Sequence, residues 1–246
     1  MEAMKTVIIV QARMTSTRLP GKVLKEVLGK SLLEYQLERL RRCHLQDGII
    51  IATTTNSTDD PIVDFCKKHG VLFFRGSEHD VLSRYHGAAV EAGADVVVRI
   101  TSDCPLIDPA IVEQAIRYYH DASGAFDYVS NVVDRRYPRG MDTEVFSMEA
   151  LATAHQEARD PVHREHVTPF IHRQPERFRI GGVTCPQDLS KHRWTVDTQD
   201  DFELIRRILE ECYPPHPHFT MNDILRAFDH HPEWMAINAH VEQKVV

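Results

Sequence analysis

The chain has only five cysteines in 246 residues: Cys43, Cys66, Cys104, Cys185 and Cys212. The number is odd and no two stand at C-x-x-C spacing. That argues against a disulfide framework or a cysteine zinc site, and for a reducing compartment. Long apolar runs are absent too. Nothing approaches the roughly 18 residues that a membrane span needs. The opening run "TVIIV" is too short for a signal peptide, so a cytoplasmic location without membrane contact is expected. Excess positive charge is also missing: 29 Lys and Arg stand against 36 Asp and Glu, a net charge of -7. A basic footprint for nucleic acid is not there. With 11 glycines in all, no G-x-G-x-x-G fingerprint follows the first strand, so nicotinamide cofactors lose their support. The "GKS" of Gly29 to Ser31 suggests a Walker loop, but Leu24 holds the place of its first glycine.

The length suits one large domain, or one domain with a smaller appendage. Strand and helix patterns alternate through the first half. "TVIIV" (6–10), "GIIIATT" (48–54), "VLFFRG" (71–76) and "DVVVRIT" (95–101) read as buried strands. Between and after them, helices are expected over 31–43, 59–70, 80–93 and 108–122. Ser31 with Glu34 forms a capping signal for the first, and Asp108 with Pro109 starts the last. This order predicts an α/β three-layer sandwich with a mostly parallel, Rossmann-like sheet. Over 127–187 the rhythm changes to short strands and a polar helix, read as an inserted α+β arm. Residues 192–212 then return to a strand, a turn and a capped helix. The expected divisions are a core over 1–126, the arm over 127–187, and a return to the core over 188–246.

Ligands of such sheets bind beyond the carboxyl ends of the strands. The stretch "VQARMTSTRLPGK" lies at one such end. It concentrates Arg13, Arg18 and Lys22 with Gln11, Thr15, Ser16 and Thr17 in a loop that holds a single glycine, Gly21. In an acidic protein, one cationic loop points to a small anionic ligand. Arginine offers phosphate a planar fork and lysine a point charge. Asp103 follows the fourth strand in "RITSDCPLID", and Asp197 follows a late strand in "RWTVDTQDD". Two carboxylates on the edge that carries the cationic loop can hold magnesium against a triphosphate. Each has a plain alternative, since Asp103 can open a turn before Pro105 and Asp197 can precede a cap at Thr198. Arg99, after three valines, either points at the ligand edge or, the favoured reading, pairs with an internal carboxylate. Asp142 and Glu144 alternate on one strand face and are open to an acceptor contact, a second metal or solvent. His163, His166 and His172 lack a further ligand at zinc spacing. Cys104 has no base beside it and reads as a small buried side chain.

The motifs "R-x-x-S-x-R-L-P-G-K", "D-x-P-L-I" and "V-D-T-x-x-D" resemble the cytidylyltransferase superfamily. That group includes the synthetases that activate 3-deoxy-manno-octulosonate and acylneuraminates as CMP-sugars. "FRGSEHDVLSRY", "RGMDTEVF" and "REHVTPFI" are similar to its spore coat polysaccharide biosynthesis branch. The resemblance covers residues 4 to 240 and implies attack of an acceptor oxygen on the α-phosphorus of CTP, with pyrophosphate leaving. It implies that Arg13, Ser16, Arg18 and Lys22 hold phosphates, with Gln11 and Ala12 beside them, and that Arg13, Lys22 and Asp103 are catalytic. Asp103 and Asp197 would bind Mg2+, and Thr53, Thr54, Arg75 and Ser77 would line the base and ribose. Arg139, Asp142, Glu144 and His166 would meet an acidic sugar acceptor, and 127–187 would make a homodimer contact. Thr101-Ser102 stands where the octulosonate enzymes have Gln-Gly, and Met14 to Thr17 replaces the glycine-rich loop of the acylneuraminate enzymes. A sugar-1-phosphate nucleotidyltransferase using another triphosphate is the alternative enzyme, and a non-catalytic nucleotide-binding protein the alternative class. A metal-dependent glycosyltransferase is disfavoured, because Asp103-Cys104-Pro105 is not D-x-D.

Overall fold

The run that opens the chain is apolar on both faces because both are covered. A computed structural model describes residues 4–122 and 124–243. The outer ends of the two expected core spans, residues 1–3 and 244–246, lie outside the described residues. In β1 (Thr6–Gln11), Ile8 and Val10 face one helical layer while Val7 and Ile9 face the other. A short antiparallel pair follows, β2 (Glu26–Val27) with β3 (Lys30–Ser31). Then come α1 (Leu32–Leu40), β4 (Gly48–Thr54), α2 (Asp60–His69), β5 (Leu72–Gly76), α3 (Val81–Ala92), β6 (Val96–Thr101) and α4 (Pro109–Asp121). Helices α1, α2 and α4 bury Leu37, Phe65 and Ile116 against one face of the sheet. On the other face α3 buries Leu82 and Tyr85. The caps agree with the sequence: Ser31 Oγ accepts from Glu34 N at 3.2 Å, and Asp108 Oδ1 accepts from Ala110 N at 3.0 Å. Helix α1 stops at Leu40, three residues short of the expected end, where the chain turns toward β4.

The rest of the chain is β7 (Tyr128–Ser130), β8 (Glu144–Ser147), α5 (Met148–Glu157), α6 (Pro161–His166), α7 (Pro169–His172), β9 (Ile180–Gly182), α8 (Gln199–Cys212) and α9 (Met221–His230). One seven-stranded sheet runs β5-β4-β1-β6-β8-β7-β9. Strands β5, β4, β1 and β6 are parallel; β8 is antiparallel to both β6 and β7. The stretch 127–187, expected as an inserted arm, therefore gives its strands to the same sheet as the core. Helix α5 packs its Leu151 and Ala154 on the face that α3 covers. No helix among the described residues is long and apolar enough to cross a membrane.

One expected strand is corrected. Residues 192–196 are extended, but they join no ladder, because β8 already occupies the edge of β6. The segment lies instead against two loops. Arg139 and Arg193 form an isolated bridge, Trp194 N donates to Arg139 O at 2.7 Å, and Val196 N donates to Asp103 O at 2.8 Å. Gly140 makes this approach possible: its φ is +102°, and a Cβ there would lie 2.5 Å from Trp194 O. Trp194 and Val196 then seal a third apolar cluster with Leu32 and Tyr35 of α1 and with α8 and α9.

Candidate active site

Chain order turns at β1: β4 and β5 continue on one side of it, and β6 lies on the other. The loops after β1 and β6 diverge there, the usual place for a ligand in such sheets. A cavity of about 350 Å³ opens at this point. Gln11, Ala12, Arg13, Ser16, Arg18 and Lys22 line it from the first loop. Thr101, Ser102 and Asp103 line it from β6 and its loop, Asp197 from the late extended segment, and Glu78, His79 and Arg84 from around α3. Glu165 and His166, at the end of α6, close the far wall.

The cationic loop is shaped by its own backbone. Gly21, at φ +69°, donates its N–H to Met14 O at 2.9 Å and hands the chain to a 3-10 turn over Lys22–Leu24. A second tie comes from Asp59, a residue whose role the sequence did not reveal. Fully buried, it accepts from Met14 N at 2.7 Å on one oxygen. Its other oxygen takes Thr53 Oγ1 at 3.2 Å, Thr54 N at 3.2 Å and Thr54 Oγ1 at 2.5 Å. Glu78 adds a third tie, accepting from Thr15 Oγ1 at 2.6 Å and facing Arg13 at 3.5 Å.

Lys22 is the centre of charge. Its Nζ donates to Asp103 Oδ2 at 3.3 Å, Asp197 Oδ1 at 2.9 Å and Val196 O at 2.6 Å. Burial opposes its charge, but the Asp103 and Asp197 carboxylates outweigh burial and push its pKa above the ordinary 10.5. Asp197 also receives Arg18 at 2.9 Å and Arg193 at 2.8 Å. Burial would raise its pKa; Lys22 first, then Arg18 and Arg193, hold it below 3.8. Behind it Asp201, fully buried, accepts from Arg193 Nε at 2.9 Å and from Asp197 N at 3.0 Å, and completes the Thr198 capping box of α8. Asp103 accepts from Thr101 Oγ1 at 2.6 Å. Arg193, Asp197 and Asp201 stand four residues apart in the sequence, which is the trace this network leaves there.

Several expected site residues lie elsewhere. Thr53 and Thr54 are fully buried and turn their hydroxyls to Asp59, so they build the wall of the cavity rather than line it. Arg75 is spent on Thr54 O and Asn56 O, both at 2.8 Å, and on Asp60 at 2.8 Å. Ser77 Oγ accepts from Asp80 N at 3.0 Å, ahead of α3. Of the four residues assigned to the acceptor, only His166 lines the cavity. Burial holds His166 below its ordinary 6.5. The next residue, Val167, is buried at φ +72°, a strained position for a β-branched side chain beside the site. Glu144 is buried and pairs with Arg99, as expected for that arginine; it also accepts from Tyr128 at 2.7 Å and Thr168 at 2.6 Å. Asp142 is held by Arg135 through two bonds of 2.7 Å. Arg139 lines a smaller cavity behind the site, of about 210 Å³, beside Trp194 and Phe228. Cys104 is buried and burial pushes its thiol up.

Among the described residues, no group of three or more His, Cys, Asp or Glu forms a metal site. Asp103 and Asp197 nonetheless converge on one cation position, the one that Lys22 Nζ fills. Two carboxylates offering hard oxygen donors fit a magnesium ion that completes its shell with phosphate and water.

A largely parallel sheet with a cation-lined, carboxylate-flanked cleft at its switch point defines the class, an α/β nucleotidyltransferase. Residues 7–216 match the family model described as Cytidylyltransferase, and the chain belongs to that family. It is 30% identical over 232 residues to the spore coat polysaccharide biosynthesis protein SpsF of Bacillus subtilis, covering 92% of this chain and 94% of that one. The solved structure of a cytidylyltransferase from Leptospira borgpetersenii superposes with a TM-score of 0.90 at 33% identity, over 99% of this chain and 100% of that one. A CMP:2-keto-3-deoxy-manno-octonic acid synthetase complexed with CTP superposes with a TM-score of 0.63, over 84% of this chain and 99% of that one. At 20% identity that likeness is one of fold.

Proposed function

We propose that this protein joins CMP from CTP to an acidic sugar and releases pyrophosphate, in the making of a surface polysaccharide or glycan. The observation that carries the reading is Lys22, set between Asp103 and Asp197 at the mouth of a cleft that Arg13 and Arg18 also line. A triphosphate is the ligand that needs both this many cations and a metal-binding carboxylate pair.

The chain's own residues do the positioning. Arg13, Arg18, Lys22 and Ser16 bind the phosphates and orient the α-phosphorus. Phosphoryl transfer needs little covalent help, so fixed charge and alignment supply most of the acceleration. An acceptor oxygen attacks from the His166 side; its bond to the α-phosphorus forms as the bond to pyrophosphate breaks. Lys22 is protonated between its two carboxylates; displaced from that position by Mg2+, its ammonium would be released to meet the charge that develops on the phosphoryl oxygens. Asp103 and Asp197 would hold Mg2+, which supplies further neutralisation of the phosphates when bound. Similarity over 46% of the chain to a 3-deoxy-manno-octulosonate cytidylyltransferase supports an acidic sugar acceptor, and similarity to the spore coat polysaccharide biosynthesis protein supports a polysaccharide pathway.

The test is pyrophosphate release with magnesium, each of the four nucleoside triphosphates, and a panel of acidic sugars and sugar phosphates. Release with CTP and an eight- or nine-carbon keto acid is the expected result. Release only with another triphosphate and a sugar phosphate would replace this reading with the sugar-1-phosphate one. Silence across the panel, with nucleotide bound, would sink catalysis on these substrates.

A further inference from the structure

Arg84 has a charge without a partner. It sits in the first turns of α3 with only 2% of its surface exposed, yet it lines the cavity. Its Nη1 donates to Ser77 O at 2.5 Å. Nε is buried with no hydrogen-bond partner. No carboxylate among the described residues lies within ion-pair distance of it. The two acids nearest in charge are committed elsewhere. Asp59 serves the first loop and the two threonines, and Glu78 serves Thr15 at 2.6 Å and Asn56 at 2.5 Å. Burial, with Arg13 close by, disfavours the guanidinium charge, and its pKa is lowered. A bare buried cation is costly unless something pairs with it.

Other arginines away from solvent are treated differently. Arg193 has Asp197 and Asp201, and half-buried Arg99 has Glu144. Arg39, buried with no carboxylate in ion-pair distance among the described residues, donates from Nε and Nη2 to Ile107 O at 2.7 Å and Phe219 O at 3.0 Å, while Arg84 keeps a buried Nε with no partner. Arg84 is also seated deliberately. Its stem crosses Gly76, where a Cβ would lie 3.0 Å from Arg84 Cγ. A side chain at residue 76 would push the arginine off this path.

We infer that Arg84 is an anion-binding residue of this cleft, whose counter-charge arrives with the ligand. Resting on the nucleotidyltransfer reading, the inference names two sources of one chemistry: a phosphate oxygen of the nucleotide, or the carboxylate of the acidic acceptor. Either presents the anionic oxygen that a guanidinium fork binds.

The experiment compares the full-length protein with Arg84→Met and Arg84→Lys by calorimetric titration and thermal unfolding. The probes are CTP, inorganic tripolyphosphate and an eight-carbon keto acid, each alone. Without ligand, Arg84→Met is expected to unfold at the wild-type temperature or above it, since an unpaired buried charge has gone. Its affinity for one class of probe is expected to fall by about 10- to 100-fold, with Arg84→Lys in between. Loss for CTP and tripolyphosphate assigns the phosphate; loss for the keto acid alone assigns the acceptor. Tripolyphosphate needs no base recognition, which separates this inference from the nucleotide reading. If wild type binds tripolyphosphate but not CTP, the CTP reading fails while Arg84 is still judged on tripolyphosphate. A lower unfolding temperature in Arg84→Met with wild-type affinity for all three probes would overturn the inference and leave Arg84 a structural residue.

Discussion

Asp59→Asn is the most discriminating change outside the cleft. The variant keeps the shape of a fully buried side chain and removes one acceptor. Aspartate takes Met14 N on one oxygen and Thr54 N, with two hydroxyls, on the other. An amide has one oxygen, so in either orientation its NH2 faces a buried backbone N–H. A stranded buried donor costs about 1–3 kcal/mol, and the lost charge-assisted bonds add to that, for about 2–4 kcal/mol in all. In a chain of this size that lowers the unfolding temperature by about 5–15 °C. The Met14 tether is also what fixes the loop bearing Arg13, Ser16 and Arg18, so affinity for CTP should weaken in the same variant. Differential scanning calorimetry and CTP titration, with the exposed Asp64→Asn as control, read both effects. An Asp59→Asn protein that melts within a degree or two of wild type and binds CTP as tightly would refute the idea that Asp59 organises the loop.

Three further outcomes are expected. His192, buried and beside Lys191, has its pKa pushed from 6.5 down to about 4; between those values the unfolded chain takes up a proton that the folded protein refuses. Stability is therefore full above pH 6.5 and is lost as pH falls toward 4, by up to about 2–3 kcal/mol, and urea titrations of His192→Phe should lack that slope. Gly140→Ala should cost about 2–4 kcal/mol, because φ there is +102° and the new Cβ would meet Trp194 O at 2.5 Å; urea unfolding measures it, and a neutral variant would mean the two loops do not pack as described. Lys22→Met should reduce the rate of pyrophosphate release by about 100-fold or more, since the cation facing the phosphates is gone; an unchanged rate would remove Lys22 from the machinery.

The alternation of strand and helix was legible because parallel strands covered on both faces must be apolar throughout, as Val7 to Val10 are. The cationic loop and the two aspartates were legible as a group because they fall together beyond the carboxyl ends of strands, where ligands of such sheets bind. What the sequence hid was pairing. The hydroxyls of Thr53 and Thr54 looked available at a strand end; only the fold shows that Asp59, five residues beyond Thr54, claims them. Glu144 looked like half of an exposed alternation with Asp142, yet its register opposite Arg99 buries it. The segment 192–196 has the composition of a strand, and nothing local in it reveals that the neighbouring edge is already taken.

The position of Lys22 has a consequence for how the protein comes into being. Its partners are 81, 174 and 175 residues away along the chain. As a ribosome extends the polypeptide, the sheet from β1 to β6 can assemble while the cleft still lacks its last wall. Only when Asp197 and the capping turn of α8 have emerged does the lysine gain its full set of contacts. A triphosphate bound as proposed would then act as a clasp between the earliest and latest parts of the chain. Ligand should accordingly protect the junction around residues 190–200 from proteases far more than it protects the middle of the sheet, which is closed long before.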